Sequence, residues 1–210
     1  MPWRLDAESI EWVNEATGRR VDLSGAGDLV DQLVDAVDED EIDELLDILS
    51  DEPTEEEVRQ WKRRFWVLLK WLYLAMAMVA AAGALTVGDL ESVQILLLIQ
   101  LGWLDRFAQE VATGAVSRAE AGRRMRMYVN SSRSSFWAVL DRMMRDAGYT
   151  QERWIAIGDA NTCSPCTEGD MMGWQPIGTF AQPGSGYVLR NPTTECSGLS
   201  LCRCRKEYRK

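Results

Sequence analysis

Apolar residues recur at helical spacing along most of this chain. In DLVDQLVDAVDEDEIDELLDILSDEP, Leu29, Leu33, Val34 and Val37, then Ile42, Leu45, Leu46 and Leu49, fall three and four residues apart, which predicts two short amphipathic helices. Their stripes are narrow and their other faces almost wholly anionic. Such helices either pack on the body of the protein or dock in a basic groove of a partner, and the pattern does not choose between them.

A longer element starts at Thr54, where Thr54 and Glu57 have the spacing of a capping box and Glu55 and Glu56 add negative charge to the first turn. The helix is expected to run to about Gly83. From Phe65 to Leu85 it carries one charge, Lys70, behind the basic Lys62, Arg63 and Arg64. Length and flank fit a membrane span. The Ala-rich end, the internal lysine and a second apolar helix close behind favour a buried helix of a bundle, so a membrane is not the expected partner. That second helix, Asp89 to about Thr113, contains VQILLLIQLGWL, and the two are expected to bury each other.

Gly114 ends this helix, and Ser117 with Glu120 suits another helix start. One long helix to Gly148 is expected, with Ala121, Met125, Tyr128, Phe136, Leu140 and Met143 on its apolar stripe and a break in that stripe at Ser132. Its other faces carry Arg118, Arg123, Arg124, Arg126, Arg133, Arg142 and Arg145. Seven arginines suit nucleic acid or an acidic protein surface, although a solvated face is the commoner meaning of such a run. RWIAIGDA then reads as a short strand, and turns and short strands follow to the end.

Charge divides the chain. Residues 1–57 hold 20 acidic side chains against 3 Arg, and residues 58–210 hold 13 against 20 basic ones, within a net charge of −10. That split describes an acidic arm on a mildly basic body, and it bears on partners rather than on fold. The opening MPWRLDAESI lacks the apolar run of a signal peptide, so folding in a reducing cytoplasm is expected. Histidine is absent, which removes Ser-His-Asp and Cys-His nucleophilic sites and every histidine-containing zinc site. No glycine-rich phosphate loop occurs.

All five cysteines lie in the last fifty residues, as C-x2-C, twenty-nine residues, then C-x5-C-x-C: Cys163, Cys166, Cys196, Cys202 and Cys204. Two thiolates on a tight turn aim at one ion, and a second pair from the distal cluster would complete a tetrahedral zinc site. Cys163, Cys166, Cys196 and either Cys202 or Cys204 are the expected ligands, with one cysteine to spare; disulfides and buried thiols are the alternatives. A redox-active C-x-x-C is disfavoured because no helix is evident after it, and Glu168 and Asp170 read as turn residues. The expected fold is therefore mainly α: an acidic arm (residues 1–53), a helical domain (54–150) and a small Cys-rich module of turns and short strands (151–210).

In its order of features the chain resembles the minor head proteins of tailed phages, the group of the F-like head morphogenesis protein of phage Mu. The resemblance covers about residues 110–205. It rests on GAVSRAEAGRRMRMYVNSSRSSFWAVL, then Trp154, Asp159, Cys163 and Cys166, and lastly Cys202, Arg203 and Cys204. The family often has a histidine three residues before its C-R-C; Leu199 stands there in this chain, and Cys196 is the candidate replacement. The resemblance implies a non-enzymatic virion protein in the capsid, made in the host cytoplasm and associated with the portal or the major capsid protein. It would act in head morphogenesis and DNA delivery. On that reading the acidic arm docks on a neighbouring protein, and the Arg-rich helix and basic C-terminus meet packaged DNA. The other readings are a membrane-anchored protein with a cytoplasmic zinc module, a zinc-dependent nucleic-acid-binding protein and, least favoured, a thiol enzyme.

Overall fold

The computed structural model describes residues 3–6, 11–14, 20–22, 30, 33–34, 37, 41–50, 52–81, 85–156, 158, 162, 164–180 and 204–210. The fold is mainly helical, with a small C-terminal region of strands and turns. At the start of the chain, β1 (Trp3–Asp6), β2 (Glu11–Asn14) and β3 (Arg20–Asp22) form an antiparallel meander in which Leu5 pairs with Trp12 and Trp12 with Val21. The sequence reading expects an irregular start here. Strands of three or four residues offer at most two hydrophobic periods, and pairing rather than pattern decides them.

The acidic segment belongs to the body. Val30, Val34 and Val37, and with them Ile42, Leu45, Leu46 and Leu49 in and just after α1 (Glu41–Leu46), are all buried in the main core. Of the two places open to these stripes, the structure uses the chain's own bundle, and Glu41, Asp43 and Glu44 of α1 are left exposed. Arg118 ties the segment down by donating to the Leu49 carbonyl at 2.8 Å and pairing with Asp47 at 2.5 Å. Gly122 allows the close approach, since a Cβ there would stand 3.1 Å from Leu46 Cδ1.

Helix α2 (Glu55–Ala80) opens on the expected box: the Thr54 N–H donates to Glu57 Oε2 at 2.7 Å, and the Glu57 N–H donates to Thr54 Oγ1 at 3.3 Å. Helix α3 (Val87–Ala112) has a second box, Thr86 with Asp89, so it begins two residues earlier than expected. Asp89 is buried and also takes a forked pair of bonds from Arg142, at 2.5 and 3.0 Å. Burial alone would raise its pKa; the bonds from Arg142 and Thr86 outweigh it, and the carboxyl sits below its ordinary value.

The expected single Arg-rich helix is two, α4 (Arg118–Ser131) and α5 (Arg133–Asp146), parted at Ser132. The stripe's break has a cause. Asn130, Ser131, Ser132, Arg133, Ser134 and Ser135 are all buried, and two of the serines bond backbone carbonyls around the break: Ser135 Oγ donates to the carbonyls of Tyr73 and Ser132, and Ser131 Oγ to that of Tyr128. Gly114 and Gly148 adopt positive φ, 69° and 83°, at the ends of α3 and α5. Trp61, Phe65, Phe107 and Tyr128 interlock where α2, α3 and α4 meet, with ring centroids 5.2 to 5.9 Å apart.

α2 and α3 run antiparallel, with Lys62 reaching Asp105 at 2.5 Å. Each buries one side and leaves an apolar stripe on the other. Val67, Trp71, Leu74 and Met78 are exposed on α2, and Val87, Leu90, Ile95, Leu98 and Ile99 on α3. These are nine of the eleven exposed large hydrophobic side chains among the described residues.

Candidate functional site: the C-terminal sheet and its cysteines

Strand β4 (Gln151–Ile155) starts two residues before the expected RWIAIGDA strand and ends at Ile155. It is the centre of a three-stranded sheet, with β5 (Gln175–Pro176) on one side and β6 (Arg205–Arg209) on the other, both antiparallel. Alternation puts Glu152 and Trp154 inward, and register sets Lys206 opposite Trp154 and Tyr208 opposite Glu152.

Helix α6 (Ser164–Met171) follows Cys163 directly. The C-x-x-C therefore does open a helix, and Glu168 and Asp170 are exposed on that helix rather than in a turn. The sequence missed it because SPCTEGD is rich in residues that favour turns, whereas tertiary packing fixes it. Gly169 lies against Trp154, so close that a Cβ would be 3.1 Å from the indole Cγ.

That approach closes a small second core of Trp154, Cys166, Phe180 and Cys204, all buried. Cys166 comes from α6 and Cys204 from the residue before β6, so two of the five cysteines, 38 positions apart, meet in one cluster. Cys163, Cys196 and Cys202, like Asp159, lie outside the described residues. Among the described residues no three metal-ligating side chains gather. The Trp154 indole N–H is buried with no hydrogen-bond partner among them.

Beside the sulfurs lies a buried ionic group that sequence reasoning did not find. Lys206 Nζ bonds Asp141 Oδ2 of α5 at 2.8 Å and Glu152 Oε2 of β4 at 2.9 Å. Glu152 Oε1 accepts the N–H groups of Gly178 and Phe180, both at 2.9 Å. Tyr208 donates its hydroxyl to Asp141 Oδ1 at 2.5 Å. Burial, and then the charge of Asp141, raise the Tyr208 pKa well above its ordinary value. The period-2 alternation of Lys206 and Tyr208 was the one available signal, and it is hidden in a run that looks like a basic tail. This network joins the cysteine-bearing sheet to the helical body.

The arginines are largely engaged within the chain. Arg123 and Arg124 chelate Glu120, holding its pKa down to about 2 by their hydrogen bonds, Arg123 first. Glu120 is thereby taken from the reciprocal half of its capping box, of which only the Ser117 acceptor forms. Arg124 also pairs with Glu110, and Arg142 with Asp89 and Asp146. Arg133 is buried and donates to Asn130. The chain matches no protein-family model, no curated protein and no solved structure.

Proposed function

We propose that this chain is a structural virion protein, a minor head protein of a tailed phage placed at the portal or the inner capsid surface. It acts in head morphogenesis and in DNA delivery, and it is not an enzyme. The observation that supports this reading best is the outward apolar surface of α2 and α3. A face of this extent stays in water only at a cost and marks where another molecule covers the protein. In an assembly protein that molecule is a portal or major capsid subunit, with the acidic outer face of α1 as a charged rim for a basic partner. The resemblance in order of features to the phage Mu F-like group supports a phage head as that assembly. The expected result is that purified particles contain the protein and that cross-linking joins it to the portal; its absence from particles overturns the reading.

One feature favours a membrane instead. Among the described residues α3, rather than the second half of α2, is long and apolar enough to cross a bilayer, with mean hydropathy 1.3 over a window only 22% buried. Recovery in the membrane fraction of cells, with none in particles, would establish that alternative.

The cysteines take zinc in this proposal. Cys166 and Cys204 supply one thiolate from each segment, Cys163 and Cys202 lie next to them in sequence, and Cys196 is the remaining candidate. The ion would lock a small module whose own core is only a few residues. Cys166→Ser and Cys204→Ser are each expected to lower bound zinc in the reduced protein and to speed proteolysis after residue 155, with helicity retained. Full zinc content in both variants, or none in the parent, contradicts it.

A further inference from the structure

The outer face of the C-terminal sheet carries a basic and aromatic arrangement that the ionic group on its inner face does not use. Trp174, just before β5, has two guanidinium groups at its ring: Arg153 Cζ stands 5.1 Å from the ring centroid and Arg209 Cζ 4.6 Å. Arg209 Nε is fixed by Gln151 Oε1 at 2.6 Å. Arg205 shares this face, two alternations along β6 from Arg209. Glu207 is the acid among them, bonded to Arg153 at 2.6 Å and 4.0 Å from Arg205. Three cations, Arg153, Arg205 and Arg209, against one anion leave a local positive surface on a chain of net charge −10. The exposed acids of α6 lie with the helix that covers the Trp154 side of the sheet.

We infer that this face binds the phosphate backbone of nucleic acid without reading sequence, through Arg205 and Arg209, with Trp174 as the residue that positions Arg209. Stacking on an indole holds a guanidinium flat while leaving its N–H edges outward, and that fork matches phosphate oxygens. The arginines of α4 and α5 are a poorer surface, because carboxylates of the same chain occupy several of them. The inference rests on the virion reading and deepens it by narrowing the DNA contact from the Arg-rich helix and the basic C-terminus to this face of the sheet.

The test is titration of the full-length protein into labelled duplex and single-stranded oligonucleotides of mixed sequence across a salt series. Each backbone contact contributes about 0.9 to the slope of log affinity against log salt on duplex. Arg205→Glu with Arg209→Glu is expected to reduce that slope by about 2 and to abolish binding at physiological salt. Trp174→Leu leaves every charge in place, so it is expected to weaken binding several-fold with the slope unchanged. Circular dichroism and thermal melting confirm that each variant is folded. An unchanged slope in the double variant overturns the inference, and so does tighter binding of a polyglutamate of matched charge, which would make the face a protein-docking surface. These measurements need no particles. Loss of DNA binding therefore leaves virion placement standing, and absence from virions leaves DNA binding standing.

Discussion

Lys206→Ala should destabilise the protein by about 3–5 kcal/mol, because it strands two carboxylates, Asp141 and Glu152, in a site that excludes water. The cost lies in the unpaired charges rather than in the lost attraction, and that distinction is testable. Lys206→Met combined with Asp141→Asn and Glu152→Gln removes the charges together, so it should recover a large part of the loss in urea unfolding. If the single and triple variants are equally unstable, the cluster holds the sheet by shape and not by charge. Tyr208 adds a pH signature. Its folded pKa lies above the unfolded value of 10.0, so between those two values the folded state keeps a proton that the unfolded state has released. Stability contributed by this group is complete below pH 10 and declines as pH rises past it. In Tyr208→Phe that part of the alkaline decline should vanish.

Deleting residues 1–49 is expected to yield an insoluble or molten product rather than a trimmed core. Val30, Val34, Val37, Ile42, Leu45, Leu46 and Leu49 leave with that segment. At about 1.5–3 kcal/mol for each fully buried aliphatic side chain, their loss matches or exceeds the whole stability of an ordinary domain. The deletion also bares Gly122 and its neighbours on α4. Point variants keep the test quantitative. Ile42→Ala should cost about 2–5 kcal/mol, and Val34→Ala less, since it removes fewer atoms. Cooperative, parent-like unfolding of the truncated chain would mean that the acidic segment is an appendage after all.

Several features were legible in the residues themselves. The capping box at Thr54 and Glu57, the glycine stops at Gly114 and Gly148, the helical period of the apolar positions and the strand before the cysteines all follow from rules acting over four or five residues. The break at Ser132 was visible as a gap in a stripe, but its outcome was not. A polar run such as NSSRSS is equally at home on a wet face, and only the backbone of α2 opposite it makes burial workable. Helix α6 was hidden because turn-forming residues outweigh local helix propensity until Trp154 packs on Gly169.

Sequence alone determined that this is a mainly helical protein with its cysteines gathered at one end and its acids at the other, because hydrophobic period, cap chemistry and charge are properties of neighbouring positions. Tertiary structure decided which of two possible surfaces each amphipathic stripe would cover, and that Cys166 and Cys204 would share one cluster. It also decided that a lysine in what reads as a basic tail would be neutralised by two carboxylates more than fifty residues away. Contacts between distant segments form only where packing brings them together, and no local pattern carries that information.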